Sequence, residues 1–165
     1  MLTTRPATDL DDAFLCELYG STRVEELALV DWNDEQKEAF IRMQFDARAR
    51  SYAASFPQAE QNIVLADGIE VGAWIIDRGM AGIRVVDVAI LPACRNQGYG
   101  TELMTRIQEE GRTSSRVVSL SVDRGAPAQR LYARMGFTVE DLADPVRFGL
   151  KWTPQQMPQA TEVAP

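Results

Sequence analysis

Apolar and polar positions along the chain follow the two-residue period of strands in some stretches and a helical period in others. Short apolar runs rich in β-branched residues lie at 62–66, 70–77 and 83–91, and turn residues separate them. Asp67-Gly68, between the first two runs, is typical of a tight hairpin turn. The pattern therefore predicts three consecutive strands that form an antiparallel meander.

The N-terminal third is expected to hold a short first strand and then two helices. The second helix is predicted at about 34–54, because Asp31 or Asn33 can cap its start and Phe56-Pro57 ends it. The residues at helical spacing, expected to share one face in each helix, are Leu10, Phe14 and Leu18, then Phe40, Met43 and Ala47.

The C-terminal half alternates helices and strands. The ranges predicted from spacing and turn residues are a helix at 99–110 that ends at Gly111, a strand at 117–122, a helix at 127–135 and strands at 137–140 and 146–152. Residues 153–165 contain three prolines and three glutamines and little to bury, so we expect a disordered tail. The domain is therefore predicted at 1–152.

Strand, glycine loop and helix succeed one another at 85–111, which is a layout suited to binding an anion. Pro92 ends the strand, and Gly98 and Gly100 let the backbone turn and approach a ligand. The first N–H groups of a helix lack internal partners and lie at the positive end of its dipole. Phosphate is the natural ligand of such a loop.

The loop differs from two common nucleotide-binding motifs. Thr101-Glu102 stand where a P-loop needs lysine followed by serine or threonine, and Leu103 stands where a dinucleotide fingerprint needs a small residue. What remains is Arg95-x-x-Gly-x-Gly behind a strand that ends in proline. This pattern closely resembles the pyrophosphate loop of the GNAT acetyltransferase superfamily.

A second motif downstream strengthens the resemblance. The sequence at 131–137, LYARMGF, is similar to the LYxxxGF helix end of GNAT enzymes, and a strand separates it from the loop. The resemblance covers roughly residues 2–152. It implies an α/β (mixed α+β) GNAT fold, with a central, mostly antiparallel mixed sheet of about seven strands flanked by about four helices. Acetyl-CoA would lie between two strands that splay apart.

The resemblance also implies which residues bind the coenzyme. The pyrophosphate would be held by Arg95, Asn96, Gln97, Gly98, Tyr99, Gly100 and Thr101. The main-chain groups of Val88, Ala89 and Ile90 would bind the pantetheine arm, and the Ile90 N–H is a candidate oxyanion donor. Without the second motif, the loop could equally be an ordinary strand-to-helix turn.

One contact that many GNAT enzymes make is absent from the motif. Many members carry an asparagine six or seven residues before the tyrosine of LYxxxGF, and Gly125 and Ala126 stand there. We expect the contact to be missing or to be replaced by Arg124 or Arg130.

Two residues are candidates for proton transfer. Tyr132 occupies the motif position whose hydroxyl protonates the departing thiolate in many members, although it could instead be a packing tyrosine. Asp87 is the one acid inside the splayed strand, and burial would raise its pKa towards that of a general base. The alternative for Asp87 is a structural salt bridge, with Arg84 or Arg147 as partner.

The acceptor would bind between the first two helices and the turn before the last strand. Glu26, Trp32 and Arg147 are the candidate ligands there, and acids beside a tryptophan suit a cationic amine. Trp32 could equally pack against the start of the second helix.

Composition narrows the function further. The net charge is −7 without a basic cluster, which argues against nucleic acid and weakly favours a cationic substrate. The sequence contains no histidine, and its two cysteines lack metal-site spacing, so neither a His-based triad nor a metal site is expected. No apolar run suggests a membrane span or a signal peptide, and a cytoplasmic protein is expected.

These observations lead to one expected function and two alternatives. The chain is expected to be an N-acetyltransferase that transfers the acetyl group of acetyl-CoA directly to a primary amine of a small, unidentified acceptor. The alternatives are a GNAT-fold module that binds coenzyme or a partner without turnover, and an acyltransferase that uses a longer acyl-CoA. GNAT domains often dimerise, so a homodimer is left open.

Overall fold

The computed structural model describes residues 1–141 and 144–155 and is built around one seven-stranded sheet. The strands are β1 (Leu2–Pro6), β2 (Glu60–Ala66), β3 (Ile69–Asp77), β4 (Ile83–Ile90), β5 (Val118–Asp123), β6 (Thr138–Asp141) and β7 (Arg147–Trp152). Their order in the sheet is β1-β2-β3-β4-β5-β7-β6, and every neighbouring pair is antiparallel except β4–β5. The predicted mixed, mostly antiparallel sheet is confirmed.

Five α-helices accompany the sheet in the described residues. They are α1 (Asp12–Ser21), α2 (Val24–Leu27), α3 (Asp34–Ser55), α4 (Tyr99–Ser114) and α5 (Ala128–Arg134). The long α3 starts at a capping box, in which the Asn33 side chain accepts from the Gln36 N–H at 2.8 Å and the Gln36 side chain accepts from the Asn33 N–H at 3.0 Å. This cap fixes where the chain turns back across the sheet.

Helices cover both faces of the sheet, and each face has its own apolar core. On one face α4 buries Leu103, Met104 and Ile107 almost completely against the strands. On the other face α1 and α3 pack Leu18 and Phe45 over the sheet. Helices therefore shield both faces of the central strands from water.

A β-bulge in β4 changes which face its side chains occupy. Val85 pairs with Ile76 and Asp87 pairs with Ile75, so Val86 is an extra residue in the strand. Before the bulge, odd-numbered residues such as Val85 face the α4 core. After it, Val88 joins that core, and Asp87 turns to the face that α1 and α3 cover.

The predicted face of α3 was wrong, and that of α1 was right for Leu18 and Phe14 but wrong for Leu10. Leu10 is 94% exposed because residues 9–11 form a 3₁₀ turn, whose three-residue period does not continue the α-helical stripe. Leu15 and Tyr19 join Leu18 on the buried side of α1. In α3 the buried residue is Phe45, and Met43 is 59% exposed.

The prediction that α4 ends at Gly111 was wrong, because Gly111 lies inside the helix. The helix continues to Ser114, and a Cβ at Gly111 would lie 2.8 Å from the Arg116 carbonyl oxygen and 3.1 Å from the Trp152 ring. Glycine is therefore needed at this position because the helix passes close to the sheet.

The predicted tail falls mostly on residues 156–165, which lie outside the described residues. Residues 153–155 form neither helix nor strand. None of the helices in the described part of the chain is both long enough and apolar enough to cross a membrane.

Candidate functional site

The loop that was predicted to bind pyrophosphate has the backbone shape that the sequence suggests. A 3₁₀ turn at 92–94 leads into it, and α4 begins at Tyr99 directly after it. Asn96 and Gly98 both adopt positive φ, of 60° and 83°. Left-handed residues beside a helix start turn successive N–H groups towards one point, which makes a concave anion site.

Side-chain hydrogen bonds tie the loop together beside a groove. The Arg95 guanidinium donates to the Ile90 carbonyl oxygen at 3.1 Å, and the Tyr99 hydroxyl donates to the Gln97 side chain at 3.1 Å. A groove of about 520 Å³ runs from this loop towards α5, and it is lined by loop residues together with Val88, Leu131 and Tyr132. The loop and the LYxxxGF helix therefore form the two walls of one groove.

Strands β4 and β5 part next to this groove. Their parallel pairing covers only Ile83–Val85 of β4 and Val118–Leu120 of β5. Beyond Val85, β4 has no strand neighbour on that side among the described residues. Main-chain groups on this edge of 86–90 therefore lack a strand partner, although the Ile90 carbonyl oxygen accepts from Arg95. This is the splay that the predicted role of Val88, Ala89 and Ile90 requires.

Tyr132 lies beside the splay. Its side chain is 7% exposed and packs edge-to-face on Phe137, with ring centroids 5.7 Å apart. Within the described residues no hydrogen-bond partner of its hydroxyl is found. Burial, and next the charge of Asp87, raise the pKa of Tyr132, which keeps the hydroxyl protonated at neutral pH.

Asp87 lies on the opposite side of the splay, and its ion-pair partner is Arg48. The Arg48 guanidinium is 3.2 Å from the Asp87 carboxylate, whereas the predicted partner Arg84 donates to the Ser121 hydroxyl. The expected pairing of Asp87 with Arg84 was therefore wrong, because the Arg84 side chain reaches across to β5 instead. The other predicted partner, Arg147, pairs with Asp123 at 2.8 Å.

Opposing effects act on the Asp87 carboxyl. Burial raises its pKa above the usual value, while Arg48, Arg147 and a hydrogen bond from the Val88 N–H lower it in part. The direction of the net shift is upward. A carboxylate with a raised pKa, in a cavity, meets the physical requirement for a general base.

A cavity of about 240 Å³ opens above Asp87 on the α1–α3 side of the sheet. Three arginines and three acids line it: Arg23, Arg48, Arg147, Glu26, Asp87 and Asp123. Two of the three predicted acceptor ligands, Glu26 and Arg147, thus lie at this cavity. Trp32 does not line it and packs instead edge-to-face on Phe40, with centroids 5.2 Å apart.

The groove, the splay and the cavity adjoin one another, because they share lining residues. Val88 and Tyr132 line both the groove at the glycine loop and a smaller cavity between β4 and β5. Asp87, Asp123 and Arg147 line both that smaller cavity and the cavity on the α1–α3 side. The arrangement would let two substrates meet at the splay from opposite faces of the sheet.

Neither of the arginines considered as replacements for the missing asparagine lines the groove. Arg124 stacks on the Phe148 ring at 4.1 Å and donates to the Asp144 carbonyl oxygen at 2.8 Å. Arg130 is exposed. The described residues contain no cluster of three or more His, Cys, Asp or Glu side chains that could hold a metal.

Sequence reasoning missed Arg48 and Tyr19. Arg48 lies three residues after Phe45 and four before Tyr52, so all three share one face of α3. This spacing could have indicated that Arg48 lies on the buried face of α3. The spacing of apolar residues alone, however, places Phe40 and Met43 on that face.

Comparisons with known proteins agree with this geometry. The family model of the acetyltransferase (GNAT) domain matches residues 58–139. L-methionine sulfoximine/L-methionine sulfone acetyltransferase of Salmonella typhimurium is 26% identical over 143 residues, which is 84% of this chain and 81% of that protein.

Solved structures share the fold at low identity. The PaiA N-acetyltransferase of Thermoplasma acidophilum in complex with coenzyme A has a TM-score of 0.68 at 17% identity, over 93% of this chain and 99% of that one. YncA of Salmonella typhimurium with acetyl-CoA has a TM-score of 0.58 at 20% identity, over 95% of this chain and 96% of that one. The matched domain contains the glycine loop, the β4–β5 splay and the LYxxxGF helix together, and the chain belongs to the GNAT acetyltransferase superfamily.

Proposed function

We propose that this protein transfers the acetyl group of acetyl-CoA directly to a primary amine of a small acceptor. The observation that carries the proposal is the path of adjoining cavities from the glycine loop, past Tyr132, to the cavity above Asp87. Each end of the path suits one of the two substrates. Holding both at the splay would supply a large part of the rate enhancement through positioning alone.

The coenzyme would occupy the groove on the α4–α5 side. The N–H groups of residues 96–101 would hold its pyrophosphate, with Arg95 beside them. Main-chain groups of Val88, Ala89 and Ile90 would bind the pantetheine arm at the unpaired edge of β4. The thioester would then lie next to Tyr132, which lines the groove from the α5 side.

The reaction needs a base for the acceptor ammonium and an acid for the departing thiolate, and one residue is available for each role. Asp87 would take a proton from the acceptor ammonium, and the neutral amine would attack the thioester carbonyl carbon. A new N–C bond forms, the C–S bond breaks, and the Tyr132 hydroxyl gives its proton to the departing thiolate. The nitrogen of the tetrahedral intermediate then gives up its second proton, which restores the Tyr132 hydroxyl and leaves the neutral amide. The Ile90 N–H would stabilise the oxyanion that forms between these steps.

The named relatives support acetyl as the acyl group and a small molecule as the acceptor. One is named for acetylation of methionine sulfoximine and methionine sulfone, and structures with a similar fold hold coenzyme A or acetyl-CoA. A module without turnover and an enzyme for longer acyl chains are the competing proposals. The module without turnover would release no coenzyme A thiol, and the enzyme for longer acyl chains would prefer a longer acyl-CoA to acetyl-CoA.

Calorimetric titration with acetyl-CoA tests the coenzyme site. Gly98→Trp would place an indole in the groove, because a Cβ at Gly98 points into open space. Gly68→Trp is the matched control, since Gly68 has the same φ of 83° and equally open surroundings in the β2–β3 turn. We expect binding to the wild type and to Gly68→Trp and its loss in Gly98→Trp. Equal binding by all three proteins would refute the site.

Turnover is tested by release of free coenzyme A thiol across a panel of primary amines. Release that depends on both acetyl-CoA and an amine supports the enzyme. Binding of acetyl-CoA without release for any amine would favour the non-catalytic module. Faster turnover with a longer acyl-CoA would favour the enzyme for longer acyl chains.

A further inference from the structure

The ion pair between Arg48 and Asp87 is the most shielded pair in the cavity on the α1–α3 side. The two side chains are 27% and 25% exposed, against 35% and 65% for Arg23–Glu26 and 52% and 62% for Arg147–Asp123. Charge-assisted bonds to a ligand are strongest where water is excluded. A ligand that binds the Arg48–Asp87 pair would therefore gain more binding free energy than one that binds either of the two more exposed pairs.

Two tyrosine rings hold the Arg48 guanidinium in place. Its central carbon lies 4.6 Å from the centroid of the Tyr19 ring and 5.3 Å from that of Tyr52. Stacking of this kind fixes the guanidinium before a ligand arrives. In the described residues Asp87 is the one carboxylate within ion-pair distance of Arg48, at a single contact of 3.2 Å, so four of its five N–H donors are not used by that contact.

The cavity is electrically balanced, although the chain as a whole is acidic. Three arginines face three carboxylates there, whereas the net charge of the chain is −7. A polycation would have to bind beside three fixed positive charges without an excess of acids. A ligand with one positive and one negative group can match both signs.

We propose, resting on the function proposed above, that the acceptor is an α-amino acid or a close analogue, with its carboxylate on Arg48 and its amine on Asp87. An α-amino acid carries both groups on one carbon, as the Arg48–Asp87 pair presents both charges side by side. Arg48 is then a specificity-determining residue. When the substrate carboxylate binds Arg48, it replaces part of the contact between Arg48 and Asp87. Asp87 is then available to accept a proton from the substrate ammonium.

The raised pKa of Asp87 agrees with this exchange but does not carry it. An amine without a carboxylate would leave the Arg48–Asp87 pair intact, so the base would remain engaged by its own partner. The pair thus selects against simple amines as well as for amino acids.

The first test compares matched acceptors with the wild-type enzyme. Each L-amino acid that is acetylated is compared with its decarboxylated amine, for example L-methionine with 3-(methylthio)propylamine. We expect kcat/KM to be about 10- to 100-fold higher for the amino acid, which is the range for a charge-assisted hydrogen bond to a partly buried group. Equal or higher kcat/KM for the decarboxylated amine overturns the proposal.

The second test assigns the preference to Arg48. Arg48→Gln should reduce the ratio between the two acceptors to about one, because a neutral amide cannot hold the carboxylate as the guanidinium does. Arg50→Gln is the matched control, since Arg50 is exposed on the same helix and does not line the cavity. A preference that survives in Arg48→Gln overturns the assignment. If Arg48→Gln does not fold, as judged by its melting transition, Arg48→Lys takes its place and should lower the ratio in the same direction.

The outcomes separate the two proposals. If acetyl-CoA binds and amines are acetylated without regard to a carboxylate, the acceptor proposal is wrong and the acetyltransferase stands. If no amine of either kind is acetylated, the proposed function fails, and the acceptor proposal fails with it.

Discussion

At the scale of single residues, the proposed chemistry depends on which groups are shielded from water. Tyr132 and Asp87 are both largely buried on either side of the β4–β5 splay, and the pKa of each is raised mainly by that burial. For a tyrosine this preserves the proton to be donated. For a carboxylate it strengthens the base. One physical cause thus prepares both groups for opposite roles.

Tyr132→Phe tests the proton donor without changing the ring. We expect kcat to fall by at least about 100-fold, the lower end of what a placed general acid supplies. Affinity for acetyl-CoA and packing on Phe137 should stay unchanged. Because the structure gives the hydroxyl no protein partner within the described residues, stability should change by less than about 1 kcal/mol. Full turnover by this variant would mean that Tyr132 only packs.

Asp87→Asn tests the base through the pH profile. The carboxylate must be ionised to accept a proton, so kcat/KM of the wild type should fall on the acid side, around a pKa above the usual 3.8 for aspartate. Asp87→Asn should lower kcat at neutral pH and remove this acid limb. An acid limb that is the same in both proteins would assign the base to another group.

At the scale of secondary-structure elements, much of the architecture could be predicted because it depends on period and turn residues. The strands of the meander and the loop into α4 were found within one or two residues at most ends. The bulge at Val86 could not be found in this way, because an extra residue leaves no mark on composition and moves every later side chain of β4 to the opposite face. Asp87 reaches the acceptor side only through that shift.

The buried face of α3 was missed for a related reason. A helix that covers a cavity carries polar residues on its inner side, so apolar spacing alone points to the wrong stripe. In α3 the inner side presents Phe45 together with Arg48 and Tyr52. Functional residues break the apolar pattern, and the site is therefore where sequence patterning is weakest.

Gly72→Ala tests how closely β3 must approach β4. A Cβ at Gly72 would lie 2.7 Å from Ile90 Cδ1 and closer still to the Ala89 carbonyl oxygen, so the strands would have to move apart. We expect unfolding free energy to fall by about 1–3 kcal/mol and KM for acetyl-CoA to rise, since the displaced residues are those expected to bind pantetheine.

The control for this substitution is Gly79→Ala in the β3–β4 turn. There a Cβ would come no nearer than 3.5 Å to the Asp77 side chain, and φ is not positive. Urea unfolding should show little change or a gain of up to about 1 kcal/mol. If Gly72→Ala were as harmless as Gly79→Ala, the spacing of the two strands would not matter for the site.

At the scale of the whole molecule, the two ends of the path come from different parts of the chain. The matched family domain, 58–139, contains the glycine loop, the splay and Tyr132. The cavity proposed for the acceptor includes Asp87 from this range but also draws Tyr19, Glu26 and Arg48 from before it and Arg147 from after it. We therefore expect the shared portion to bind the coenzyme and the flanking portions to contribute to the choice of acceptor. This division explains why the family could be recognised from sequence while the acceptor side could not.

The flanking N-terminal portion must be attached firmly to the sheet for this cavity to exist, and Asp11 provides one attachment. Asp11 is 5% exposed, accepts two bonds from Arg5 at 2.7 and 2.9 Å and accepts the Thr8 N–H at 2.7 Å. Arg5 in turn donates to Glu70 of β3 at 2.8 Å. The start of α1 is thereby joined to β1 and β3.

The pH dependence of stability tests this attachment. The Arg5 hydrogen bond, followed by the Thr8 N–H, holds the pKa of Asp11 far below its usual range in the folded protein. A depressed folded pKa means that the stabilisation is present above the unfolded pKa of about 3.9 and is lost as pH falls towards the folded value. Asp11→Asn should therefore lower the urea midpoint at pH 7, and the difference from wild type should shrink as pH falls below about 4.

The control is Asp67→Asn, because Asp67 forms an exposed pair with the N-terminal amine. This substitution should leave the urea midpoint nearly unchanged at pH 7 and below about pH 4. A difference between Asp11→Asn and wild type that stayed constant from about pH 7 to about pH 2 would show that the side chain acts by shape rather than by charge.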